Sequence, residues 1–395
     1  ERKDRNKRNC WLTYTNEKTH EIIRENIMRA PKYAGKIHGI GARYCPSIED
    51  KVVRFADKDR HQLFVEPEGL DTTEMYVQGM STSMPIDVQY AFLRTIPGFE
   101  DVKMMRPAYA IEYDLLDPLQ LYPTLEVIKL PGLYSAGQSN GTSGYEEAAA
   151  QGLVAGINAA LKIQGKDPFI LARHEAYIGS LVDDLVTKGA DEPYRMMTSR
   201  SEYRLILRQD NADLRLTEKG HSIGLVGEER YARFLERKKK YEEAMDYIRT
   251  QRFTPKEEIN RALESMETAP LTTGTGADQI LKRPEMTYRK MMEALGCPAF
   301  DEEAVEEMEI TVKYEGYIAR QEAAVRKAAR MENEKLPLDM DYLSLDGIST
   351  EARQKMDKIR PLSLGQAARI PGVSPADISV LMVYVKQRKG KKGAE

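Results

Sequence analysis

Three closely spaced glycines, Gly137, Gly141 and Gly144, stand between an apolar stretch at residues 133–136 and a run of helix-forming residues that begins near Tyr145. We expect a strand, a glycine-rich turn and a helix in that order. The free N–H groups and the dipole at the start of such a helix favour a phosphate or an electron-rich carbonyl, and glycine lets that group approach the backbone closely. A tight turn that binds no ligand is the alternative.

Cys45 is the residue best suited to nucleophilic chemistry, because it lies between Arg43 and Lys51 and directly before Pro46. If a helix begins at Pro46, Cys45 is its N-cap residue. The positive end of the helix dipole and the two cations would then favour the thiolate form of Cys45. A buried cysteine that serves as a small apolar side chain is the commoner alternative.

A group of arginines is the third candidate, since Arg200, Arg204 and Arg208 recur at every fourth residue and Arg215 follows them. On a helix or on a strand this spacing places the first three on one face, so it predicts a basic stripe. Arginine suits phosphate geometry, and contact with RNA is therefore one interpretation. The equally weighted alternative is an ion-pair network with the acidic neighbours, which are Glu202, Asp210 and Asp213.

The C-terminal end carries a predicted pair of short helices, residues 364–370 and 374–386, around a Pro-Gly turn. Ser374 is a suitable N-cap residue and Pro375 a suitable first helical residue. The pair resembles a helix-turn-helix, although such pairs are often packing units. The basic residues that end it are expected to attract phosphate, and they include Lys386, Arg388 and Lys389.

The elements that position these candidates are predicted to differ between the two parts of the chain. Up to about residue 165, strand and helix patterns alternate, which favours an α/β architecture. Helices are predicted at residues 16–29 and 85–96, and further strands at residues 10–15, 52–55, 62–65, 108–115 and 125–128. From about residue 166 the charge density rises and most segments have helical patterns, including two long charged helices at residues 228–252 and 302–333.

Composition excludes several classes of protein. The 395-residue chain has a net charge of −3, so binding of nucleic acid must come from local basic patches. No apolar run approaches the roughly 20 residues of a membrane helix. The three cysteines, Cys10, Cys45 and Cys297, form no CxxC pair, which argues against a disulfide framework and a zinc site and favours a reducing cytoplasm. Cys10 and Cys297 are assigned structural roles.

Long strings in the chain are similar to those of the MnmG (GidA) family of flavin-dependent tRNA-modifying enzymes, from about Asn9 to Lys386. Four of them are GIGARYCPSIEDKVVRF at 39–55, LPGLYSAGQSNGTSGYEEAAAQG at 130–152, EPYRMMTSRSEYRL at 192–205 and VKYEGYIARQ at 312–321. The resemblance implies an α/β flavoprotein of the two-dinucleotide-binding-domain class, followed by an all-helical C-terminal region. The first part of the FAD domain, with its GxGxxG turn, has no counterpart here, so we expect an N-terminal truncation and a chain that is inactive alone.

The resemblance also implies site residues. FAD-binding residues are expected at Gly137, Gln138, Asn140, Gly141, Thr142, Gly144, Tyr145 and Glu146. The segment that corresponds to the family's nicotinamide-cofactor site consists of Gly41, Ala42, Arg43, Tyr44, Cys45, Pro46, Ser47, Ile48, Glu49, Asp50, Lys51, Val52, Val53, Arg54 and Phe55. Cys45 matches one of the family's two catalytic cysteines, and the other lies upstream of Glu1. The four arginines and the C-terminal basic residues are expected to contact tRNA.

The implied reaction adds a carboxymethylaminomethyl or aminomethyl group to C5 of the wobble uridine 34 of tRNA. It uses FAD, NADH, methylenetetrahydrofolate and either glycine or ammonium. Because C5 of uracil is a poor nucleophile, addition of a thiolate to C6 is the expected activation. A homodimer is expected to form a heterotetramer with an MnmE-type GTPase.

Four domains are expected: a nicotinamide-cofactor and insertion part at 1–110, the end of the FAD domain at 111–165, a helical tRNA-binding region at 166–335 and a small helical module at 336–395. Two alternative functions remain. One is the related folate- and FAD-dependent tRNA uridine methyltransferase, which lacks the long helical region. The other is a non-catalytic module that binds tRNA or the GTPase.

Overall fold

The computed structural model describes residues 8–37 and 46–392, and it divides into two compact units. The first unit contains the described residues up to Gln120 together with Tyr134–Leu153 and Ala190–Arg195. The second contains Leu121–Leu133, Val154–Gly189 and the chain from Met196 onward. No helix of the described residues is both long and apolar enough to cross a membrane.

An antiparallel sheet forms the framework of the first unit. Its strands are β1 (Trp11–Tyr14), β2 (Gln62–Pro67) and β3 (Met75–Gln78), in that order. Thr13 pairs with Leu63, and Val65 pairs with Val77. Leu63 is fully buried, so one face of the sheet covers a core. The strands predicted at residues 10–15 and 62–65 are therefore confirmed.

Three helices complete that core. They are α1 (Glu17–Glu25), α2 (Ile48–Arg54) and α3 (Ile86–Leu93), and a short 3-10 helix, Ile27–Arg29, follows α1. Ile23 of α1 and Phe92 of α3 are buried in the same cluster as Leu63 of the sheet. Asn16 caps α1, because its side chain accepts a hydrogen bond from Thr19 N at 3.0 Å. The two helices predicted in this part are confirmed with shorter bounds.

Residues 52–55 are not the predicted strand, because they continue or follow α2. Ser47 is the N-cap of this helix, and its Oγ accepts a hydrogen bond from Asp50 N at 3.2 Å. Ile48 and Val52, four residues apart, are both buried in the core, as helical periodicity requires. The expectation that Cys45 is the N-cap is therefore wrong, since a serine hydroxyl two residues later has that role. Cys45 itself lies outside the described residues.

The strands predicted at 108–115, 125–128 and 133–136 do not form in the described part of the chain. Residues 108–115 have no regular structure, and Leu121 and Val127 form only an isolated bridge. A strand needs a hydrogen-bonded neighbour, which the residue pattern of one segment does not supply. The helix predicted after the glycine-rich turn is confirmed as α4 (Tyr145–Ile163), and a 3-10 turn, Gly137–Asn140, precedes it.

The second unit is almost entirely helical, as expected. Its helices after α4 are α5 (Tyr177–Lys188), α6 (Ala212–Ser222), α7 (Glu228–Thr250), α8 (Glu257–Ser265), α9 (Ala277–Leu281), α10 (Tyr288–Leu295), α11 (Glu302–Lys313) and α12 (Glu315–Asn333). A two-residue ladder joins β4 (Arg252–Phe253) to β5 (Thr275–Gly276). Residues 302–333 were expected as one helix, but the helix is interrupted at Tyr314, whose ψ of 7° departs from helical geometry.

The C-terminal helices form a separate core. They are α13 (Thr350–Ile359), α14 (Leu364–Arg369) and α15 (Pro375–Lys392), and their buried cluster includes Leu336, Tyr342, Leu364 and Leu381. At the start of α15, Ser374 Oγ accepts from Asp377 N at 3.2 Å, and Asp377 Oδ2 accepts from Ser374 N at 2.8 Å. This reciprocal cap confirms the predicted helix start.

Candidate functional site

The glycine-rich turn between residues 137 and 144 requires glycine for two different reasons. Gly141 has a φ of +80°, and a Cβ atom there would lie 2.6 Å from Cβ of Ala190. Gly144 has ordinary backbone geometry, but its Cβ would lie 1.7 Å from Oε2 of Glu147 and 2.8 Å from Nη1 of Arg195. The turn is therefore packed closely against the side chains of Glu147, Ala190 and Arg195, and a larger residue at either glycine would displace them.

Gln151 of α4 holds this turn together. It is fully buried, and its Oε1 accepts hydrogen bonds from Asn140 Nδ2 at 2.8 Å and from Gly137 N at 3.2 Å. Its Nε2 donates to Thr142 Oγ1 at 2.9 Å and to the carbonyl of Glu147 at 3.1 Å. One side-chain amide thus satisfies three buried polar groups of the turn and one carbonyl of α4, and it fixes the turn on α4.

The predicted FAD-binding residues Asn140 and Thr142 point inward. Asn140 is fully buried and bonds to Ser135 as well as to Gln151. The Oγ1 of Thr142 donates to the carbonyl of Gly137 at 2.9 Å. The hydrogen bonds of these two side chains lie within the chain and support the turn.

Other predicted residues are available on the outside of the turn. Gln138 and Glu146 are exposed, and Tyr145 is 93% exposed. A cavity of about 160 Å³ lies beside Gln138, and its remaining lining residues are Tyr113, Leu115, Gly141, Thr142, Ser143, Ala190, Asp191, Glu192 and Pro193. The Oγ of Ser143 is buried here and has no hydrogen-bond partner among the described residues. A polar group of a ligand could satisfy it.

The charges around the turn decide which ligand group fits. Glu146 and Glu147 occupy the first turn of α4, and Asp191 and Glu192 line the cavity. Arg195 is the cation beside them, with its Nε 3.4 Å from Oε1 of the buried Glu147. Because this surrounding is acidic, a phosphate would be repelled. An uncharged, electron-rich carbonyl can still accept hydrogen bonds from the free amides at the helix start.

The predicted nicotinamide segment lies partly outside the described residues, which exclude Gly41, Ala42, Arg43, Tyr44 and Cys45. Pro46 is exposed. The remaining residues of the segment belong to α2 and to its two flanking positions, Ser47 and Phe55.

Most polar side chains of this segment contact the chain itself. Glu49 Oε1 accepts hydrogen bonds from Ser83 N at 3.0 Å and Ser83 Oγ at 2.8 Å. Asp50 binds Lys32 Nζ at 2.8 Å and Tyr33 OH at 3.0 Å, and Lys51 Nζ donates to the carbonyl of Gly79. The exposed members of α2 and its end are Val53, Arg54 and Phe55. The nicotinamide-binding role of the segment stays a prediction.

The arginines at 200–215 do not form a regular stripe, because residues 201–211 are neither helix nor strand. Arg208 is largely buried, with its Nε 3.0 Å from Asp210 and its Nη2 bonded to Glu307 of α11. Burial and a hydrogen bond with Asp210 raise the pKa of Glu307 to about 7, and Arg208 opposes this shift. The ion-pair alternative therefore describes Arg208.

The other predicted tRNA contacts differ in their availability. Arg215 donates to the carbonyls of Glu175 and Arg208, and Arg200 is half-buried. Arg204 is exposed and has no ion-pair partner among the described residues. Lys386 is exposed as well, whereas the side chains of Arg388 and Lys389 lie outside the described ones.

The two remaining cysteines have no site around them. Cys297 is buried in the core of α7, α10 and α11, where burial raises the pKa of its thiol and a hydrogen bond from Tyr247 opposes this. Cys10 is exposed just before β1. In the described ranges, no group of three or more histidine, cysteine or acidic side chains could hold a metal ion.

Reasoning from the sequence missed Gln151 and Arg195, which shape and charge the turn. Gln151 had a detectable signal, because it is a lone polar residue among small apolar ones on the helix that follows the glycines. Arg195 had none, since its neighbour Glu147 is 48 positions away in the chain. The bridge between Thr142 and Tyr194 brings Arg195 close to Glu147.

Three protein-family models match the chain. "Glucose inhibited division protein A" covers residues 1–167. The "tRNA modifying enzyme MnmG/GidA C-terminal helical domain" covers residues 228–322, and the "tRNA modifying enzyme MnmG/GidA C-terminal helical bundle" covers residues 324–395.

Similar proteins carry the same family name. The chain is 57% identical over 388 residues to the "tRNA uridine 5-carboxymethylaminomethyl modification enzyme MnmG" of Enterococcus faecalis, which covers 98% of this chain and 61% of that protein. It is also 57% identical to the protein of the same name from Caldicellulosiruptor saccharolyticus, with 97% and 62% covered. The chain thus spans about 61% of the length of the curated relatives that it matches.

Solved structures agree with these matches. The structure of Aquifex aeolicus GidA in one crystal form has a TM-score of 0.81 and 46% identity, and it covers 96% of this chain and 59% of that chain. A second crystal form gives a TM-score of 0.80 with 48% identity, and 96% and 60% are covered. The α/β part followed by a helical C-terminal region is the arrangement expected from the resemblance. Family models, relatives and fold agree, and this chain belongs to the MnmG/GidA family.

Proposed function

We propose that this chain is part of a FAD-dependent tRNA-modifying enzyme that adds a carboxymethylaminomethyl or aminomethyl group to C5 of wobble uridine 34. The identity of 57% to proteins named for this modification, along almost the whole chain, carries the proposal. The one-carbon donor is methylenetetrahydrofolate, the reductant NADH, and the amine glycine or ammonium.

The residues of the glycine-rich turn fit one part of FAD. The backbone of Gly144, the free amides of α4 and the unpaired Oγ of Ser143 offer hydrogen-bond donors to an uncharged carbonyl, such as those of the flavin ring. The acidic surroundings disfavour the pyrophosphate at this place. FAD supplies two-electron transfer when it is bound. Gln138 lines the cavity next to the turn and would contact the cofactor there.

Cys45 is the catalytic nucleophile of this chain. Its thiolate adds to C6 of uracil, and the electron pair of the C5–C6 double bond moves to C5 and the neighbouring carbonyl. The one-carbon unit passes from its folate donor to the amine as an iminium, and C5 attacks the carbon of this iminium while the electron pair of its C=N bond moves to nitrogen. Loss of the C5 proton and departure of the thiolate from C6 restore the double bond and the free cysteine.

The partners follow from the same family membership. The helical second unit would bind tRNA, and Gly41 to Phe55 would contact NADH. A homodimer would bind two subunits of an MnmE-type GTPase through the C-terminal module. We propose that the protein acts on tRNA in the cytoplasm.

Flavin binding tests the proposal. We expect the chain alone to carry little FAD, and to bind it when the N-terminal part of the Enterococcus faecalis relative is added. The assembly should then modify wobble uridine, measured by mass spectrometry of nucleosides. Gln151→Leu should weaken FAD binding at least about tenfold, because leucine leaves buried polar groups of the turn unpaired at about 1–3 kcal/mol each.

A matched control is Gln164→Leu, since Gln164 is exposed beyond the end of α4. Flavin absorbance and a fluorescence titration measure both variants. Stoichiometric FAD in the isolated chain would contradict the expectation that the chain alone carries little FAD. Equal affinity in the two variants would contradict the role of the turn. An assembly that never binds FAD would favour the non-catalytic binding module.

The C-terminal module gives a second test. We expect deletion of residues 344–395 to leave the α/β part of the first unit folded, because the buried cluster of the module contains residues of the second unit only. The deletion should weaken binding of the GTPase, of tRNA or of both by at least about tenfold, measured by calorimetry. Lys386→Ala should affect only RNA, and its effect should fade as salt rises. Unchanged affinity for both partners would leave the module a structural role.

A further inference from the structure

Helix α12 is long but has no fully buried residue. Tyr317, Arg320, Ala324 and Lys327 recur at intervals of three and four residues, so they lie along one side of the helix. All four are exposed. We call these four residues the α12 face. It is a solvent-facing surface that the hydrophobic core of the unit does not use.

The charged side chains of α12 that form no ion pair with a described residue are cations, and they lie on or near this face. Its three glutamates form ion pairs within the chain: Glu315 with Lys282, Glu322 with Arg326, and Glu332 with Arg369. Arg320, Lys327 and the nearby Arg330 are exposed and form no salt bridge with any described residue. The anions of the helix are thus neutralised internally, whereas these cations remain available for an anionic ligand.

Aromatic and small residues accompany the cations. The guanidinium of Arg320 lies 5.8 Å from the centroid of the Tyr317 ring, and this ring is 59% exposed. Tyr314, with its ring centroid 6.5 Å away, extends the aromatic surface. Ala324 leaves room between the two cations for a chain to lie against the helix. Exposed aromatic rings beside cations that have no ion pair suit RNA, because bases stack on the rings while phosphates bind the cations.

Gln321 joins Arg204 to this surface. Its Oε1 accepts hydrogen bonds from the backbone N–H groups of Leu205 and Ile206, and its Nε2 donates to the carbonyl of Glu202. The segment that carries Arg204 is therefore fixed on α12 at Gln321, the residue that follows Arg320. Of the four arginines predicted to contact RNA, Arg204 is the one that is exposed, and it has no ion pair among the described residues.

We propose that the α12 face together with Arg204 is an RNA-binding surface, on which Arg204, Arg320 and Lys327 contact phosphates and Tyr317 stacks on a base. This inference rests on the proposed function, since it deepens the assignment of tRNA as the substrate. The RNA surface is built from two segments that are more than a hundred positions apart in sequence.

Binding of an unmodified tRNA transcript to the full chain tests the surface. We expect Arg320→Ala with Lys327→Ala to weaken binding about tenfold and to reduce the slope of log K against log salt by about 1.5. The control is Arg261→Ala with Arg289→Ala, which removes the same charge from two exposed, ion-paired arginines. It should change neither quantity. Tyr317→Ala should weaken binding about tenfold, and Tyr317→Phe should retain it.

Three outcomes would overturn the inference. If the double variant matches its control while the chain still binds tRNA, the surface is wrong and the proposed function is unaffected. If the variant loses only the GTPase partner, the face binds a protein. If the unaltered chain binds no tRNA at low salt, both the surface and the proposed function of this chain fail. Circular dichroism verifies that each variant is folded.

Discussion

Replacing Cys45 with serine in a chain completed by the N-terminal part of a relative is expected to reduce uridine modification by more than about a thousandfold. Flavin content should not change. The reason is that a serine hydroxyl forms far less of its anion at neutral pH than a thiol does, so addition to C6 of uracil fails. Single-turnover modification of tRNA, followed by nucleoside mass spectrometry, measures the loss.

Cys10→Ser is the matched control, because Cys10 is exposed before β1 and has no assigned role in the reaction. It should retain nearly full activity. A Cys45→Ser enzyme with near-normal turnover would remove Cys45 from the mechanism. Equal losses in both variants would indicate damage to the fold and not to the chemistry.

The second large effect is expected from Arg173→Met, which should destabilise the second unit by about 3 kcal/mol. Arg173 is 8% exposed, and its guanidinium lies 2.7 Å from Asp184, 3.1 Å from Asp183 and 2.9 Å from Glu202. Burial alone would lower the pKa of Arg173, but these carboxylates raise it above its usual range. Methionine fills similar space and leaves the buried carboxylate of Asp184 with Lys188 as its remaining cation.

Urea denaturation followed by helical circular dichroism measures this cost as a lower midpoint. Arg289→Met is the control, because Arg289 is 87% exposed and, in the described part of the chain, its ion-pair partner is Glu293 on the same helix. That variant should change stability by less than about 0.5 kcal/mol. Arg173→Met combined with Asp184→Asn should recover part of the loss. An Arg173→Met midpoint equal to that of the control would refute the structural role.

The Arg173 cluster also connects the C-terminal module to the rest of its unit. Asp183 bonds to Arg173 through one carboxylate oxygen and to Arg369 of α14 through the other, at 2.7 Å. Arg369 also bonds to Glu332 of α12. Burial of these charges is tolerated because each is paired, so removal of one partner affects several elements at once.

Local patterns in the sequence determined those features that neighbouring residues control. The start of α15 follows from Ser374, Pro375 and Asp377, whose side chains and backbone groups bond within one helical turn. Glycines at 137–144 predicted a turn before α4, because positive φ angles and close packing admit little else. Strings of family-specific residues identified the family before any coordinates.

Only the tertiary structure decided features that depend on distant partners. Arg208 had the same local signal as Arg204, yet Glu307, 99 positions later, binds it and removes it from the surface. Residues 133–136 have a strand pattern, but a strand forms only where another backbone offers its hydrogen bonds. Gln321 holds the segment that carries Arg204 on α12 through backbone contacts that no periodicity predicts. Spacing along a chain defines faces of an element, whereas long-range contacts define which face meets solvent or a ligand.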